Sequence, residues 1–503
     1  MAGIIMITEH FPILVIVIAL VAAYTTLLAG WVDRRYSFPI ALGTIAVQFA
    51  ISLYLLWEVV TNGTIHYNLG NWLPPWGIEY VVDRLSAYVL VILLLLSLLC
   101  CIYSKRSIAN EIEEKKTVGF YVVFLLLVAG VCGIAITGDI FNLYVFLEIS
   151  SIAAYTLVAA GRERRGFMAS FNYLVMGSVS AGFILLGIGH LYVATGTLNM
   201  ADLARLLPPL YDSTLIHTAF VFFIVGLSIK TALFPLHMWQ PDAYTYAPSV
   251  VSALLSTIVA KMGVYATIRI LFSVFTVGFI VDYLPIMEIF AWVAAVAIIA
   301  GSVLAIAQYD MKRMLAYSSV SQMGYILLGI GIANSVAMTG GILHILNHAV
   351  MKGCLFMVAG AIVYRTGVRN IDDFKGIAKK MPYTSAAFFI AAASMIGIPP
   401  TVGFMSKWYL ALGALDAGQW IFVTVILASS LLSAVYFWRI FEYAYFRAEE
   451  GHDPHAPGAV DDAPASMLAP MLVLAAACVL FGLFVIVPLS IIEPVVMTLL
   501  GGG

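Results

Sequence analysis

The stretch from Gly226 to Ser256 reads GLSIKTALFPLHMWQPDAYTYAPSVVSALLS. It places Lys230 deep in an apolar helical run, which Pro235 interrupts a turn later. A cation in hydrocarbon costs at least ~2.5 kcal/mol, so a lysine at this depth indicates a functional site. Non-helical backbone survives at membrane depth only where protein or a water-filled cavity satisfies its polar groups. The stretch therefore predicts a discontinuous membrane helix whose break, residues 234–248, lines a hydrated path.

Composition places the whole chain in a membrane. Of its 503 residues, 62% are apolar and 10% are charged, whereas roughly a quarter of the residues of a soluble protein carry charge. The first apolar run, Phe11 to Leu28, lacks a basic flank and a small-residue cleavage site, so it is expected to be a retained helix. The net charge of −2 suggests no nucleic-acid partner.

The cysteines give no sign of a cofactor. All five (Cys100, Cys101, Cys132, Cys354 and Cys478) lie in apolar runs, and none forms the CxxC spacing of an iron–sulfur or zinc site. No GxGxxG or Walker-type phosphate loop occurs either. We therefore expect no cofactor and no metal, and any redox chemistry must come from another chain.

Apolar runs near the ~20 residues that span a bilayer predict fourteen helices. They lie at about 11–29, 38–60, 85–103, 118–135, 140–160, 168–194, 217–236, 249–274, 286–308, 314–332, 336–364, 384–411, 418–446 and 466–489. The segment from Thr61 to Asp83, rich in Gly, Pro, Asn and Trp, predicts an aqueous hairpin with aromatic anchors at the interface. Residues 201–210 predict a short amphipathic piece along the surface.

Lysine and arginine in the loops predict the orientation. The loops of one side hold Arg34, Arg35, Lys105, Arg106, Lys115, Lys116, Arg162, Arg164, Arg165, Lys312, Arg313, Arg365, Arg369, Lys375, Lys379, Lys380 and Arg447, whereas the opposite loops hold only Arg84 and Arg205. By the positive-inside rule the basic side is cytoplasmic. Both termini are then expected on the non-cytoplasmic side of the cell (inner) membrane.

An internal repeat recurs at an offset of 171 residues. The matches are Asp139 with Asp310, Ser150 with Ser321, Gly189 with Gly360, Thr195-Gly196 with Thr366-Gly367, and Val264-Tyr265 with Val435-Tyr436. The predicted units are helices 1–3 with the hairpin (1–117), a first repeat (118–274), a second repeat (286–446), and a polar loop with the last helix (447–503). Five helices per repeat make the second copy inverted, as in many secondary transporters. The second break is Pro399-Pro400, just before Lys407.

The buried ionisable residues are candidates for proton transfer. Glu148 shares a helical face with Tyr144, Ser151 and Tyr155. It is either a structural carboxyl held by its neighbours or the partner of Lys230. A buried pair of this kind releases or captures a proton when its separation changes.

Further along the chain, Lys261 is either a proton acceptor after Lys230 or a packing lysine bound to carbonyls. His344, His348 and Lys352 follow at i, i+4 and i+8, about 6 Å apart on one face. HxxxH matches metal spacing but lacks the glutamate of HExxH and a third ligand, so a water-bridged proton wire is the preferred interpretation.

The two breaks and a polar helix flank supply the remaining candidates. Lys407 follows the second break and is either the outlet for the proton or a helix-end anchor. His237 and Asp242, with Pro235, lie in the first break and are expected to gate it or to close the loop by hydrogen bonds. Tyr317, Ser318, Ser319, Ser321 and Gln322 form a polar flank that is expected to order water or pack helices.

Several motifs resemble the antiporter-like, proton-conducting subunits of complex I, Mrp-type Na⁺/H⁺ antiporters and membrane-bound hydrogenases. They are Leu147-Glu-Ile149, Pro235-Leu-His-Met-Trp-Gln-Pro-Asp-Ala243, Ala247-Pro-Ser249, Val251-Ser-Ala-Leu-Leu255, Asp310-Met-Lys-Arg-Met-Leu-Ala-Tyr-Ser-Ser319 and Asn347-His-Ala-Val-Met-Lys-Gly353. The resemblance implies the Glu–Lys pair for Glu148 and Lys230. It implies proton-transfer roles for Lys261, His344, His348, Lys352 and Lys407. It also implies two inverted five-helix bundles, each with a discontinuous helix.

The resemblance is nearest to the D-type component of Mrp antiporters and its relatives in hydrogenase-like or sulfane-reductase complexes. It implies a subunit of a multisubunit membrane complex that moves H⁺ and exchanges it for Na⁺. One alternative is a proton-pumping subunit of a complex I-like or hydrogenase-like oxidoreductase; another is a subunit of an inorganic-carbon uptake complex. His452 and His455 in the polar tail are either metal ligands or part of a solvated linker.

Overall fold

The structure, a computed structural model, describes residues 8–283, 286–447 and 461–501. His452 and His455 of the tail lie outside these residues. The described chain is almost entirely helical, and its strands are those of one hairpin, β1 (Ile65–Asn68) and β2 (Glu79–Val82). The predicted all-helical membrane fold is therefore confirmed, with a small sheet added in a loop.

The first half of the described chain builds eleven helices. They are α1 (Phe11–Val32), α2 (Ser37–Asn62), α3 (Arg84–Glu111), α4 (Thr117–Ile136), α5 (Ile140–Val158), α6 (Arg164–Thr195), α7 (Met200–Leu206), α8 (Thr214–Lys230), α9 (Trp239–Tyr246), α10 (Ser249–Leu254) and α11 (Ala260–Ile268). The eighth predicted span joins α10 and α11 through a π-helical stretch, Leu255–Val259, and ends in a second one, Arg269–Val274. The predicted surface piece at 201–210 is helical, as α7.

The second half adds nine helices among the described residues. They are α12 (Ile286–Ile306), α13 (Met311–Ile332), α14 (Ser335–Thr366), α15 (Ile377–Lys380), α16 (Pro382–Ile396), α17 (Val402–Asp416), α18 (Trp420–Phe441), α19 (Ala465–Leu483) and α20 (Ile486–Leu499). Twelve of the fourteen predicted spans are continuous apolar helices long enough to cross a membrane. The other two are broken, the seventh into α8 and α9 and the twelfth into α16 and α17. The bounds of the first break differ from the predicted 234–248: turns run over 231–238, and residues 239–246 are helical, as α9.

The last predicted span is wrong at its C-terminal end. The prediction ran to residue 489, but α19 ends at Leu483 and α20 begins at Ile486. Pro488 gives the reason, because a proline has no N–H for the carbonyl of Phe484 four residues earlier and its ring clashes with that carbonyl. The chain turns there, and α20 packs against α3 and α14.

Equivalent helix caps occur in both repeats, 171 residues apart. Asp139 accepts a hydrogen bond from Asn142 N at 2.7 Å and starts α5, and Asp310 accepts one from Arg313 N at 3.0 Å and starts α13. The 32-residue helices α6 and α14 end at Gly196 and Gly367, whose φ values of 73° and 72° suit glycine at a helix C-terminus. Equivalent residues therefore begin and end equivalent helices.

Arg369 shows that the second repeat is inverted. Its guanidinium binds Glu163 at 2.7 Å and Asp310 at 3.0 Å. Glu163 follows the C-terminus of α5, so it lies on the membrane face opposite to Asp139. Because Asp310 shares that face with Glu163, the equivalent residues Asp139 and Asp310 lie on opposite faces.

The hairpin marks the other face of the protein. Its strands pair antiparallel with Ile65 opposite Val82. The hydroxyl of Tyr67 bonds to His10, just before α1, at 3.0 Å, and Leu499 at the end of α20 lines a groove with the hairpin residue His66. The described parts nearest to both termini therefore lie on one face, as an even number of crossings requires.

The candidate site lies in the interior because α14 is buried on every side. Every residue from Ala337 to Ile362 is buried, and so are most residues of α13. A helix that is enclosed all round must satisfy each of its polar side chains within the protein. The polar groups of α14 consequently face partners on other helices and not lipid.

Two glycines allow close helix contact at equivalent positions of the two repeats. A Cβ at Gly130 of α4 would stand 2.9 Å from the nitrogen of Ser150, and one at Gly301 of α12 would stand 2.5 Å from the nitrogen of Ser321. These two glycines are also 171 residues apart. The same contact thus joins the first two helices of both repeats.

We expect Gly301→Ala to lower the melting temperature of the protein, because overpacking against backbone costs about 1–3 kcal/mol. The matched control is Gly189→Ala, where an added Cβ meets nothing within 4 Å. That change should be neutral or stabilising, because glycine inside a helix costs ~1 kcal/mol relative to alanine. Thermal unfolding of the solubilised protein measures both, and equal melting temperatures would contradict the packing argument.

Candidate functional site

The break after α8 is closed by local hydrogen bonds. Residues 231–238 form turns between α8 and α9. The indole of Trp239 donates to the carbonyl of Ile229 at 2.9 Å, and Leu233 N donates to the carbonyl of Ser228 at 3.0 Å. Trp239 is held by stacking on Tyr173, with ring centroids 4.1 Å apart. Protein groups therefore satisfy carbonyls that an unbroken helix would have bonded itself.

Glu148 and Lys230 meet at this break. Lys230 is the last residue of α8, and its ammonium donates to Glu148 Oε1 at 2.8 Å and to Ser151 Oγ at 2.7 Å. The lysine side chain is 9% exposed and the glutamate side chain 24%. A buried ion pair with a further hydrogen bond holds both charges, but removing either partner leaves an uncompensated charge. The predicted Glu–Lys pair is thus formed across α5 and α8.

Lys261 sits directly after the π-helical stretch in the eighth span. Its ammonium donates to the carbonyl of Ser256, five residues earlier, and the side chain is 1% exposed. The π-helical stretch packs against α14, and a Cβ at Gly263 would lie 3.1 Å from the carbonyl carbon of Lys230 at the end of α8. The lysine therefore lies between the first break and the central helix of the second repeat.

Among the described residues, the partners of Lys352 are neutral oxygens. Its ammonium donates to the carbonyl of Leu315 at 2.8 Å and to Ser318 Oγ at 2.5 Å, both on α13. The side chain is fully buried. No carboxylate of the described residues offsets the cost of burying this ammonium.

The two histidines of α14 differ in their surroundings. His344 bonds through Nδ1 to Ser406 Oγ at 2.8 Å and through Nε2 to Gln322 Oε1 at 2.9 Å. Neither ring nitrogen of His348 has a hydrogen-bond partner among the described residues. The rings stack nearly parallel, with centroids 6.1 Å apart, so their nitrogens do not bond to each other. A proton wire through His348 requires water.

Lys407 lies at the second break. Its ammonium donates to the carbonyls of Met395 and Ile396, at the end of α16, at 2.9 and 3.1 Å, and to Ser430 Oγ at 3.0 Å. A cation at the carboxyl end of a helix is favoured by the helix dipole. Lys407 therefore faces the interior of the break rather than anchoring the helix at the membrane surface.

The residues inside the first break have separate environments. His237 is buried and stacks on Phe234, and its Nδ1 has no partner among the described residues. Asp242 on α9 accepts a hydrogen bond from Arg313 at 2.9 Å, and both side chains are about a third exposed. The second segment of the broken helix is thus tied by a salt bridge to α13 of the other repeat.

A family model described as NADH:quinone oxidoreductase/Mrp antiporter, transmembrane, matches residues 137–433. The chain belongs to this family. The N-type component of NADH-quinone oxidoreductase from Desulforudis audaxviator is 47% identical over 486 residues, covering 95% of this chain and 96% of the relative. The D-type component of the Na⁺/H⁺ antiporter from Alkalihalophilus pseudofirmus is 33% identical over 434 residues, covering 86% and 85%.

A solved structure supports this family assignment and the fold. A chain of the membrane-bound sulfane sulfur reductase, an archaeal respiratory membrane complex, superposes with a TM-score of 0.89 at 29% identity over 97% of both chains. The chain is therefore an antiporter-like membrane subunit of the kind found in Mrp antiporters and complex I-like complexes. This confirms the predicted family and architecture.

Sequence reasoning missed several groups of this antiporter-like site. Ser406 and Ser430 bind His344 and Lys407, and Tyr325 lies between them, with its ring 5.5 Å from His344 and 5.0 Å from the Lys407 ammonium. Single serines and tyrosines in apolar helices carry little signal on their own. Only their position beside a lysine or histidine in space identifies them.

We expect His348→Ala to slow transport more at high pH than at low pH. Without the imidazole the wire depends on water alone, and proton supply limits the rate when protons are scarce. Rates in vesicles carrying the assembled complex, measured across pH, test this, with His190→Ala on α6 as the control. A uniform loss across pH, or a loss of protein alone, would instead favour a packing role for His348.

Proposed function

We propose that the chain conducts protons through two half-channels, residues 118–274 and 286–446, and that its complex exchanges them for Na⁺ or another cation. The Glu148–Lys230 pair at the first break carries this proposal, because a buried ion pair beside broken backbone is a switchable charge. The 33% identity to the D-type component of an Na⁺/H⁺ antiporter supports the exchange. Pro235, His237 and Asp242 hydrate or gate the break.

The pair works as the switch of the first half-channel. At 2.8 Å the two charges stabilise each other. When α5 and α8 separate, Lys230 loses its counter-ion and an uncompensated ammonium remains buried in the protein, so it gives up its proton. Lys261 is the next basic group along the interior, and it has no carboxylate partner among the described residues. The proton passes to it and the switch closes again when Lys230 regains a proton.

The second half-channel carries the proton on. Lys261, Lys352 and Lys407 are each bound by carbonyls or hydroxyls and not by carboxylates in the described structure. Their mutual repulsion keeps all three from being charged at once, so a proton that arrives at one displaces a proton from another. His344 and His348 lie between Lys352 and Lys407 along this route.

A redox-driven pump is the second candidate. The 47% identity to the N-type component of an NADH-quinone oxidoreductase favours it. In such a complex a catalytic arm on another chain would push the same Glu148–Lys230 pair between its two states. The chain's own residues would then conduct protons in the same way, and only the source of the driving force would differ.

The proposed orientation places the loops rich in lysine and arginine in the cytoplasm. Arg369, Glu163 and Asp310 then lie at the cytoplasmic face of the cell membrane. The hairpin, the start of α1 and the end of α20 lie at the outer face.

Glu148→Gln should abolish ion-coupled transport without loss of the assembled complex, because glutamine keeps the shape and hydrogen bonds of the side chain but cannot ionise. Lys230→Ala should do the same. Cation-dependent ΔpH changes in everted vesicles measure transport, with the exposed Glu288→Gln as the matched control. Normal transport in either variant at normal protein level would refute the assignment.

The isolated chain is expected to show little coupled transport. The repeats supply titratable groups and wet breaks, but partner subunits must complete the ion route or bias the switch. Purified chain in liposomes under a pH gradient tests this against the whole complex. Robust Na⁺/H⁺ exchange by the chain alone would mean that it is a complete transporter.

A further inference from the structure

A cavity of about 540 Å³ opens at the basic face beside the first helices. Its walls come from the loop between α1 and α2, the last two turns of α3 and the first two turns of α4. Gly30 lets α1 approach α4 at this level, because an added Cβ would clash with the Val118 side chain. Packed helix ends and one short loop therefore enclose the cavity.

Basic side chains dominate the lining of this cavity. Arg34, Arg35, Lys105 and Arg162 come from three separate segments of the chain, and Glu114 lines the same space. The carboxylate of Glu114 forms a salt bridge with Arg34. The other three basic groups are left without a carboxylate among the residues that line the cavity.

These three groups have few partners in the part of the chain that the structure describes. The Arg35 guanidinium makes no hydrogen bond or ion pair there. The Lys105 ammonium lies 5.4 Å from the centroid of the Phe38 ring, and Arg162 donates to the carbonyl of Ile112 at 3.2 Å. A ring and a carbonyl carry no net charge. The concave space therefore concentrates positive potential and attracts an anion.

Other arginines of the basic face are neutralised within the protein. In the second repeat the ion pairs are Arg313 with Asp242, Arg369 with Glu163 and Asp310, and Arg439 with Asp372. Hydration alone explains an isolated exposed base. It gives no reason for bases from three segments to surround one concave space, so this cavity differs from the rest of the basic face.

The cavity lies at the level of the lipid headgroups. The span α1 is long and apolar enough to cross a membrane, and its last residues, Trp31 and Val32, are 78% and 84% exposed. An exposed tryptophan at the end of a membrane helix is typical of the interface between hydrocarbon and water. Arg34 follows two residues later, whereas Ile108 and Tyr121 line the cavity on its membrane side. Charge at headgroup level thus adjoins a largely apolar wall.

We propose that the cavity binds the headgroup of an anionic phospholipid, whose phosphate oxygens accept hydrogen bonds from Arg35, Lys105 and Arg162. Basic pockets between membrane helices on the cytoplasmic side suit such headgroups, and the planar guanidinium of arginine matches the geometry of phosphate oxygens. The helices α2 and α4 begin beside the cavity, at Ser37 and Thr117. Their positive dipole ends favour the same anion.

Charge selects an anionic lipid over a zwitterionic one. A choline or ethanolamine headgroup brings its own cation, which the basic groups of the cavity repel. An anionic headgroup brings none and neutralises groups that the protein leaves unmatched. The bound lipid would hold the loop between α1 and α2 against α3 and so fasten the N-terminal helices to the first repeat. The site is separate from the proton route and does not depend on the proposed function.

The first test uses the double variant Arg35→Gln/Lys105→Gln, which removes two charges that form no ion pair in the described structure. Native mass spectrometry of the solubilised full chain measures binding of dioleoyl-phosphatidylglycerol. We expect the affinity for the first bound lipid to fall roughly thirtyfold, because each basic group gives about a fivefold gain in binding to an anionic lipid. Dioleoyl-phosphatidylcholine should bind more weakly than phosphatidylglycerol to the wild type and equally to the variant.

The matched control is Arg106→Gln/Arg164→Gln, which removes the same charge from exposed residues of the same face that do not line the cavity. It should bind phosphatidylglycerol as the wild type does. An equal loss in the two double variants, or no loss in either, would overturn the site. Inorganic phosphate in excess should not displace the lipid, because it lacks acyl chains. Displacement by it would assign the cavity to a free anion instead.

The second test uses the wild-type assembled complex, so it does not depend on the folding of a variant. Labelling of Lys105 by an amine reagent is compared in nanodiscs of phosphatidylcholine with and without phosphatidylglycerol, with the exposed Lys375 as the control. We expect phosphatidylglycerol to protect Lys105 and not Lys375. Protection of Lys105 in both lipids would mean that a partner subunit covers the cavity, and labelling in both would mean that nothing binds there; either result refutes the lipid site.

Discussion

The structure depends on how buried ammonium groups are satisfied in a membrane interior. Lys230 ends α8, Lys261 follows a π-helical stretch and Lys407 lies against the end of α16, so each sits where a helix is interrupted. Interrupted helices leave carbonyls without their usual N–H partners. At two of these places, Ser256 and Ile396, the lysine itself binds such a carbonyl. Broken backbone and buried cation therefore stabilise each other, and neither would be tolerated alone.

The repeats share this arrangement but not their charges. The first repeat has a carboxylate, Glu148, within 2.8 Å of its lysine, whereas the described partners of Lys352 and Lys407 are neutral oxygens. An ion pair has two stable states, closed and separated, and can be biased from outside. Lysines held by carbonyls and hydroxyls have no such alternative partner. In the proposed mechanism the ion pair of the first repeat is therefore the switch, and the lysines of the second repeat carry the proton on.

The sequence predicted the parts of the site whose residue types are unusual in a membrane. Lysines in apolar runs, prolines inside helices and aspartates at matched positions identified the breaks, the titratable groups and the repeat. It did not predict partners contributed by ordinary residues, such as Ser406 for His344 or Arg313 for Asp242, because nothing in one helix reveals which neighbour it faces. The π-helical stretch before Lys261 and the turn between α19 and α20 were missed for a related reason. Both are small departures in a helix whose hydrophobic pattern continues unbroken.

Because the repeats are inverted, their two breaks are oriented towards opposite faces of the protein. In the first repeat α9 connects the break to the face of Arg313 and Arg369, and its eight residues measure about 12 Å. In the second repeat α16 starts from that same face and α17 leads from the break to the opposite one. The first break is therefore nearest to the basic face, while the second opens along α17 towards the face of the hairpin. With α14 enclosed between them, the proposed route needs no continuous pore, because titratable side chains connect the two breaks.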